Sequence, residues 1–404
     1  MRLVYKFNIQ GNDTLLDLCR TSKDLYNQAL YALKNELKTN NKWLSYIQLN
    51  NLMQSTPNLE EQINYRLLKA QVSQQCLRQL DSNIKAYIKA IKDYAKHTNK
   101  YNGKPHFPKY KKDLNQLTYT NQCCTIKDGY IILSKTLRIR IPQYEIYGDR
   151  IKDFQQVRIL PKDNDTFTIE IVYNDKEAVN TELRNDLYAS IDLGVDNVVT
   201  LLRPEDKPLL YNGRQMKSKN QYFNKEISRL KSVLKDKKTS KRIRGLWSHR
   251  ENQINDIFHK ISREVVRELI RGKVGNIVVG YNSGWKDSIH ISKRNNQTFV
   301  YIPHERFIKY LEYKCEMSGI KVIKTEESYT SKCDSLAGEE ITKHEEYRGR
   351  RVKRGLYQSS TGRLINADVN GALNIMRKVV GDSEITSKII NSGWLFQPLR
   401  INVL

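Results

Sequence analysis

Ser190-Ile191-Asp192-Leu193-Gly194 sets a carboxylate inside an apolar run, and its reading decides the fold of the second half of the chain. An aspartate between Ile and Leu is costly unless it is paired or neutralised by a cation. Gly194 reads as room for a ligand to come close to the backbone. The plainer reading makes Asp192 a turn cap beside Gly194 and Val195. Outward from this stretch, apolar strands are expected at 188–201, 274–279 and 319–325. Two amphipathic segments, 216–234 and 250–269, lie between the first two and suggest a helical hairpin with a basic tip at 235–242. This half reads as α/β.

Ile365-Asn366-Ala367-Asp368-Val369-Asn370-Gly371-Ala372 opens a further helix, about 369–379, whose apolar face includes Ala372, Ile375, Met376 and Val379. Taken alone, Asp368 reads as an N-cap. Taken with Asp192 it reads differently, because an acid on a first strand and another on a late helix is the layout of ribonuclease-H-like nucleases. Such sites use carboxylate oxygens because Mg²⁺ is hard and octahedral. Two ions about 3.5–4 Å apart serve phosphodiester cleavage, and a third acid is required.

The first half reads as a β module. Residues 2–9 alternate, with Leu3, Tyr5, Phe7 and Ile9 on one face. Amphipathic helices follow, one through Leu15, Leu25 and Leu37, the other through Leu68, Leu80 and Ile91. Lys104-Pro105-His106-Phe107-Pro108-Lys109-Tyr110-Lys111-Lys112 ends the helical pattern at its prolines. It mixes bases with aromatics, either as a nucleic-acid surface or as a plain basic linker. Strands return at 117–120, at a hairpin signalled by Asp128-Gly129, and at 167–173.

Across 404 residues, 69 Lys+Arg stand against 44 Asp+Glu, a net charge of +25. That excess points to a polyanionic partner, with nucleic acid favoured over a merely solvated surface. No apolar run approaches the roughly 18 residues of a membrane span, so no membrane partner is expected. Cys19, Cys76, Cys123, Cys124, Cys315 and Cys333 form no Cys-x-x-Cys pair, which speaks for a reducing, cytoplasmic setting rather than a disulfide framework.

Four stretches carry a family resemblance. Ala189-Ser190-Ile191-Asp192-Leu193-Gly194-Val195 resembles the first RuvC motif of TnpB proteins, and Asn366-Ala367-Asp368-Val369-Asn370-Gly371-Ala372 their third. Tyr329-Thr330-Ser331-Lys332-Cys333 resembles their "YTSxxC" segment, and Phe107-Pro108-Lys109-Tyr110-Lys111 their "FPxYK" element. The likeness runs over roughly residues 1–380 and extends to type V CRISPR effectors. It implies an α+β multidomain fold. A β-barrel-like wedge module (1–12 and 115–180) would carry a helical recognition insertion (13–114). A ribonuclease-H-like RuvC nuclease domain (181–330 and 364–380) with a helical-hairpin insertion would follow, then a degenerate zinc-ribbon-like basic hairpin (331–363) and a tail (381–404). It further implies a transposon-encoded RNA-guided DNA endonuclease. Its partners would be a guide RNA from the transposon end and double-stranded target DNA with an adjacent motif. Its cofactor would be Mg²⁺, with Mn²⁺ as an alternative.

Two departures from that family bear on the site. Gly280 stands where the second RuvC acid is expected, while the next strand, 320–325, ends in Glu326-Glu327. Since those strands are expected to be neighbours, either glutamate can replace the missing ligand, with Glu327 preferred. The alternative leaves both as solvated acids. The metal set is then Asp192, Glu327 and Asp368. The second departure is the ribbon: no cysteine lies between 334 and 367. Two soft ligands cannot close a four-ligand zinc site, so no zinc is expected. Arg350, Arg351 and Arg354 are assigned to phosphates instead. By resemblance, Gln75, Phe107, Tyr110, Lys111, Tyr119, Thr120 and Asn121 face nucleic acid. Two other functions compete: a nuclease-inactive RNA-guided repressor, favoured by Gly280, and a guide-free acid-triad transposase.

Overall fold

The computed structural model describes residues 2–162, 166–174, 182–234, 239–281, 302–382 and 384–402. They form two compact units, 1–176 and 177–404. The expected helical insertion, ribbon-like segment and tail belong to these units rather than standing apart.

In the first unit, β1 (Arg2–Gln10) pairs antiparallel with β7 (Thr166–Asn174), setting Leu3 opposite Tyr173 and Phe7 opposite Ile169. Then come β6 (Phe154–Pro161) and β2 (Leu117–Thr120), giving the order β1-β7-β6-β2. A second sheet holds β3 (Thr125–Lys127), β4 (Tyr130–Ile132) and β5 (Arg138–Arg140). Its hairpin turns at Asp128 and Gly129, both at positive φ (50° and 77°), as this turn requires. The expected barrel-like module is therefore two open sheets. α1 (Asp13–Asn40) is capped by Asn12, whose side chain accepts from Leu15 N at 2.9 Å. With α2 (Tyr46–Met53), α3 (Asn64–Leu67) and α4 (Ala70–Lys96), it buries Leu25, Leu30, Leu77 and Leu80 in one core with Leu117, Ile159 and Ile169. α5 (Tyr144–Ile151) is short.

The second unit is built on six strands in the order β12-β11-β8-β9-β10-β16. The run expected as one strand over 188–201 is two: β8 (Arg184–Asp192) and β9 (Asn197–Leu202), paired antiparallel. Gly194 makes the turn. A Cβ there would lie 2.6 Å from the Asn197 carbonyl oxygen, so the space read as room for a ligand is taken by the chain itself. β10 (Leu209–Asn212) continues antiparallel. β11 (Val274–Gly280) runs parallel to β8, and β12 (Lys321–Thr325) runs parallel to β11, with Gly280 opposite Thr325.

α6 (Arg214–Ser232) and α7 (Lys241–Arg271) lie between β10 and β11. Residues 235–238 of the expected basic tip lie outside the described residues. α8 (His304–Met317), which the sequence reading passed over, buries Phe307 and Leu311 with Phe258 and Ile261 of α7. A separate core joins α9 (Ala367–Val380), through Leu373 and Met376, to Leu202 and Leu210 of the sheet. A three-stranded sheet, β13 (Arg350–Lys353), β14 (Leu356–Gln358) and β15 (Leu364–Asn366), leads into α9. The chain closes with α10 (Glu384–Asn391) and β16 (Leu399–Ile401), which lies parallel to β10.

Candidate active site

Asp192 is the last residue of β8, where the strand meets the start of α9. The approach is close: Ser190 Oγ donates to the Ala372 carbonyl at 2.6 Å. A Cβ on Gly371 would lie 2.8 Å from Asp192 Oδ2. Gly371 is thus the opening in the helix face that admits the Asp192 carboxylate. Asp368 sits one turn earlier on α9 and is not its cap. Asn366 is, its side chain accepting from Asp368 N (3.0 Å) and Val369 N (3.3 Å). That corrects the capping reading and leaves the Asp368 carboxylate for other partners. Asn197 Nδ2 donates to its Oδ2 at 2.7 Å, and an Arg351 guanidinium nitrogen stands 3.8 Å from Oδ1.

Beyond the end of β12 the two glutamates part. Glu326 turns outward: it accepts a short hydrogen bond from Ser328 Oγ, and its carboxylate lies 3.9 Å from Lys378 Nζ. Glu327 turns back across the neighbouring strand, and its Oε2 lies 3.1 Å from where a Cβ of residue 280 would be. The same imagined Cβ would lie 2.5 Å from Ile375 Cδ1 of α9. The Glu327 carboxylate and the end of the Ile375 side chain share the space above position 280, and a side chain there would have to displace them.

The loop carrying Glu327 is fastened to the helix carrying Asp368 by two buried asparagines one turn apart. Asn374 Nδ2 donates to the carbonyls of Thr330 and Cys333, both at 2.8 Å. Asn370 Nδ2 donates to Cys333 O at 3.0 Å, while its Oδ1 accepts from Ser335 Oγ at 2.7 Å. Thr330 Oγ1 returns a bond to the Glu327 carbonyl at 2.8 Å. Tyr329-Thr330-Ser331-Lys332-Cys333 is thus the strap between Glu327 and α9. Asn370 and Asn374, spaced i and i+4 on an apolar face, are the site residues that the sequence reading missed; two amides on a buried stripe were the signal.

Electrostatics tie the acids together. Burial, then the charges of Asp368 and Glu327, raise the Asp192 carboxyl well above its ordinary range. Burial pushes Glu327 up to about 7, against the pull of Lys378. Such mutual repulsion among hard oxygen donors is what a divalent cation relieves. Carboxylate oxygens are the donor type that hard divalent cations take, although among the described residues no group of three or more His, Cys, Asp or Glu is drawn together closely enough to hold a metal ion.

With this geometry in view, comparison with known proteins gives consistent answers. Residues 170–286 match the OrfB_IS605 family, described as a probable transposase, and residues 304–375 match a Cas12f1-like TNB domain. TnpB-like protein ORF457 of Acidianus two-tailed virus is 24% identical over 205 residues, 48% of this chain and 42% of that protein. The matched regions resemble TnpB-type proteins. A CRISPR-associated endodeoxyribonuclease, Cas12f2 of Micrarchaeota archaeon (strain CG1_02_47_40), is 27% identical over 150 residues, 35% of this chain and 27% of the relative. The matches thus span less than half the length of these relatives. In fold, the chain resembles the protein of a Cas12f1–sgRNA–target DNA complex, with a TM-score of 0.56 at 13% identity. The likeness covers 90% of this chain and 82% of that one.

In the segment expected to be ribbon-like, a carboxylate joins two turns. Asp334 is fully buried, and its oxygens accept from Leu336 N (3.2 Å), Ala337 N (3.3 Å), Ser359 Oγ (2.8 Å) and Ser360 N (2.7 Å). Asp334 N in turn donates to Glu339 Oε2 at 2.6 Å. Arg350, Arg351 and Arg354 are exposed around β13, with Arg354 2.8 Å from Asp196.

The N-terminal candidates divide. Tyr119 is a core residue of the four-stranded sheet, since β2 alternates and buries its odd positions. Lys111 turns inward, 4.4 Å from the Tyr26 ring, and bonds Asn115. Phe107 packs edge-on against Tyr87 (5.2 Å) and Trp43 (6.3 Å). Tyr119 is buried, while Phe107 and Lys111 are half-buried and pack against their neighbours. Tyr110 is exposed beside Lys34, Asn121 is exposed, and Gln75 and Thr120 are half-buried, Thr120 bonding Gln71.

Proposed function

We propose that this protein is a transposon-encoded, RNA-guided DNA endonuclease whose cutting site is Asp192, Glu327 and Asp368. The observation that carries the reading is the Glu327 carboxylate filling the space above Gly280, on the same side as Asp192. A third acid is thereby supplied from the next strand. The strand order β12-β11-β8-β9-β10, with the acids at β8 and α9, supports a ribonuclease-H-like nuclease domain.

Asp192, Glu327 and Asp368 would hold Mg²⁺, or Mn²⁺ in its place. Bound there, the ions supply activation of the attacking oxygen and stabilisation of the leaving one. The chain's own contribution is positional. Asn197 fixes the Asp368 carboxylate, Gly371 admits that of Asp192, and the Asn370–Asn374 strap holds Glu327 in reach. Arg350 and Arg354 offer charge to phosphates. Gln75, Tyr110, Thr120 and Asn121 are left as the residues able to reach the adjacent DNA motif. The guide RNA and double-stranded target belong to this proposal as its partners.

Sequencing the RNA that co-purifies with the protein, then supplying a plasmid that matches its guide segment, tests the reading. A cut that follows a reprogrammed guide and needs Mg²⁺ supports it. Guided binding without cutting would give the repressor reading, and strand joining without RNA the transposase reading.

A further inference from the structure

A cavity of about 680 Å³ opens beside Asp368, in the size range of ligand clefts. Arg214, Lys217, Arg351, Arg354 and Arg400 line it, five cations against Asp196 and Asp368. They come from three places in the sequence: the start of α6, the β13–β14 hairpin and the C-terminal strand β16. Lys217 and Arg354 share Asp196, at 3.1 and 2.8 Å, and Arg351 leans toward Asp368 at 3.8 Å. Arg214 and Arg400 are different. Both are exposed, and neither guanidinium has an ion pair or hydrogen bond among the described residues.

Arg400 is not on a loose tail. Leu210 stands opposite it in the parallel β10–β16 pairing. Leu399 N donates to Pro208 O at 2.8 Å, and Asn212 Nδ2 to Asn402 Oδ1 at 2.8 Å. Upstream, Ile389 and Leu395 are fully buried in the core of α9. The fold thus spends a docked segment of the chain on bringing one more cation to the cleft.

The lining also says what chemistry it takes. No aromatic side chain faces the cavity among the described residues, so it offers bases no stacking platform. Guanidinium forks match phosphate oxygens two at a time. Resting on the nuclease reading above, we propose that Arg214 and Arg400 clamp the sugar-phosphate backbone of the strand being cut. The C-terminal strand is then one wall of the substrate cleft. Recognition there is independent of base sequence, because the cleft reads phosphates alone.

Arg214→Ala, Arg400→Ala, the double variant and Arg400→Lys test this in the guide-loaded protein. Single-turnover cutting of a guide-matched target should slow about tenfold in each alanine variant, the size of one charge-assisted contact. Target binding through guide pairing should stay within about twofold, and melting temperatures unchanged. The salt dependence of cutting should flatten, and Arg400→Lys should recover part of the rate because the charge remains. Unchanged rates and salt dependence in the double variant overturn the proposal. If the unaltered protein cuts nothing, the nuclease reading falls while the cleft is still judged by binding of a short labelled oligothymidylate. Loss of about 0.7 per arginine from the slope of log affinity against log salt supports the clamp. An unchanged slope overturns it.

Discussion

A side chain of any size at position 280 meets Ile375 of α9 and the Glu327 carboxylate. Gly280→Ala should therefore destabilise the second unit by about 1–3 kcal/mol, as overpacking of a closed core does. Urea unfolding that shows no fall in midpoint would mean that α9 yields freely. Asp192, Asp368 and the Glu326-Glu327 pair stand out in the sequence as acids in or beside apolar runs. Which glutamate turns inward follows only from the register of β11 against β12, and that depends on distant chain. Phe107, Lys111 and Tyr119 make packing contacts that the sequence does not announce. Aromatic and basic types suit nucleic acid, but burial and the Tyr26 and Asn115 contacts decide their use, and neither is local.

Among elements, the strap between Thr330 and Cys333 and α9 determines where Glu327 stands. Asn374→Ala takes a donor from the Thr330 carbonyl and an acceptor from Arg377, while the Cys333 carbonyl keeps Asn370. A loss of about 1–3 kcal/mol is expected, with cutting slowed more than target binding. Equal rates would show that the strap does not position the acid. The ribbon segment gives a second element-scale prediction. Asp334, taking bonds from Leu336 N on one turn and Ser360 N on the other, joins them in place of a metal. Purified protein should carry no stoichiometric zinc, and Asp334→Ala should lower the unfolding midpoint with or without added zinc. About one zinc per chain by elemental analysis would contradict this. Regular elements with a clear period, such as α1, α4 and α9, were legible to within a few residues of their ends. α8 was passed over although Phe307, Ile308, Leu311 and Cys315 stand at helical spacing, and the tail segment is only eight residues long.

On the scale of the whole molecule, +25 of net charge on 404 residues calls for a polyanion. The protein should purify with a defined RNA, and its affinity for that RNA should fall about a thousandfold or more between 50 and 200 mM salt. Weak dependence on salt would move recognition away from phosphates. Two units, one carrying the exposed Tyr110 and Asn121 and the other the acids, divide motif reading from cutting in this account. The measurement closest to its centre compares guided, Mg²⁺-dependent cutting by the unaltered protein with that by Glu326→Ala and Glu327→Ala, all shown to bind guide and target alike. The account predicts that Glu326→Ala cuts near the unaltered rate and that Glu327→Ala, like Asp192→Ala, does not cut. Normal cutting by Glu327→Ala would contradict it.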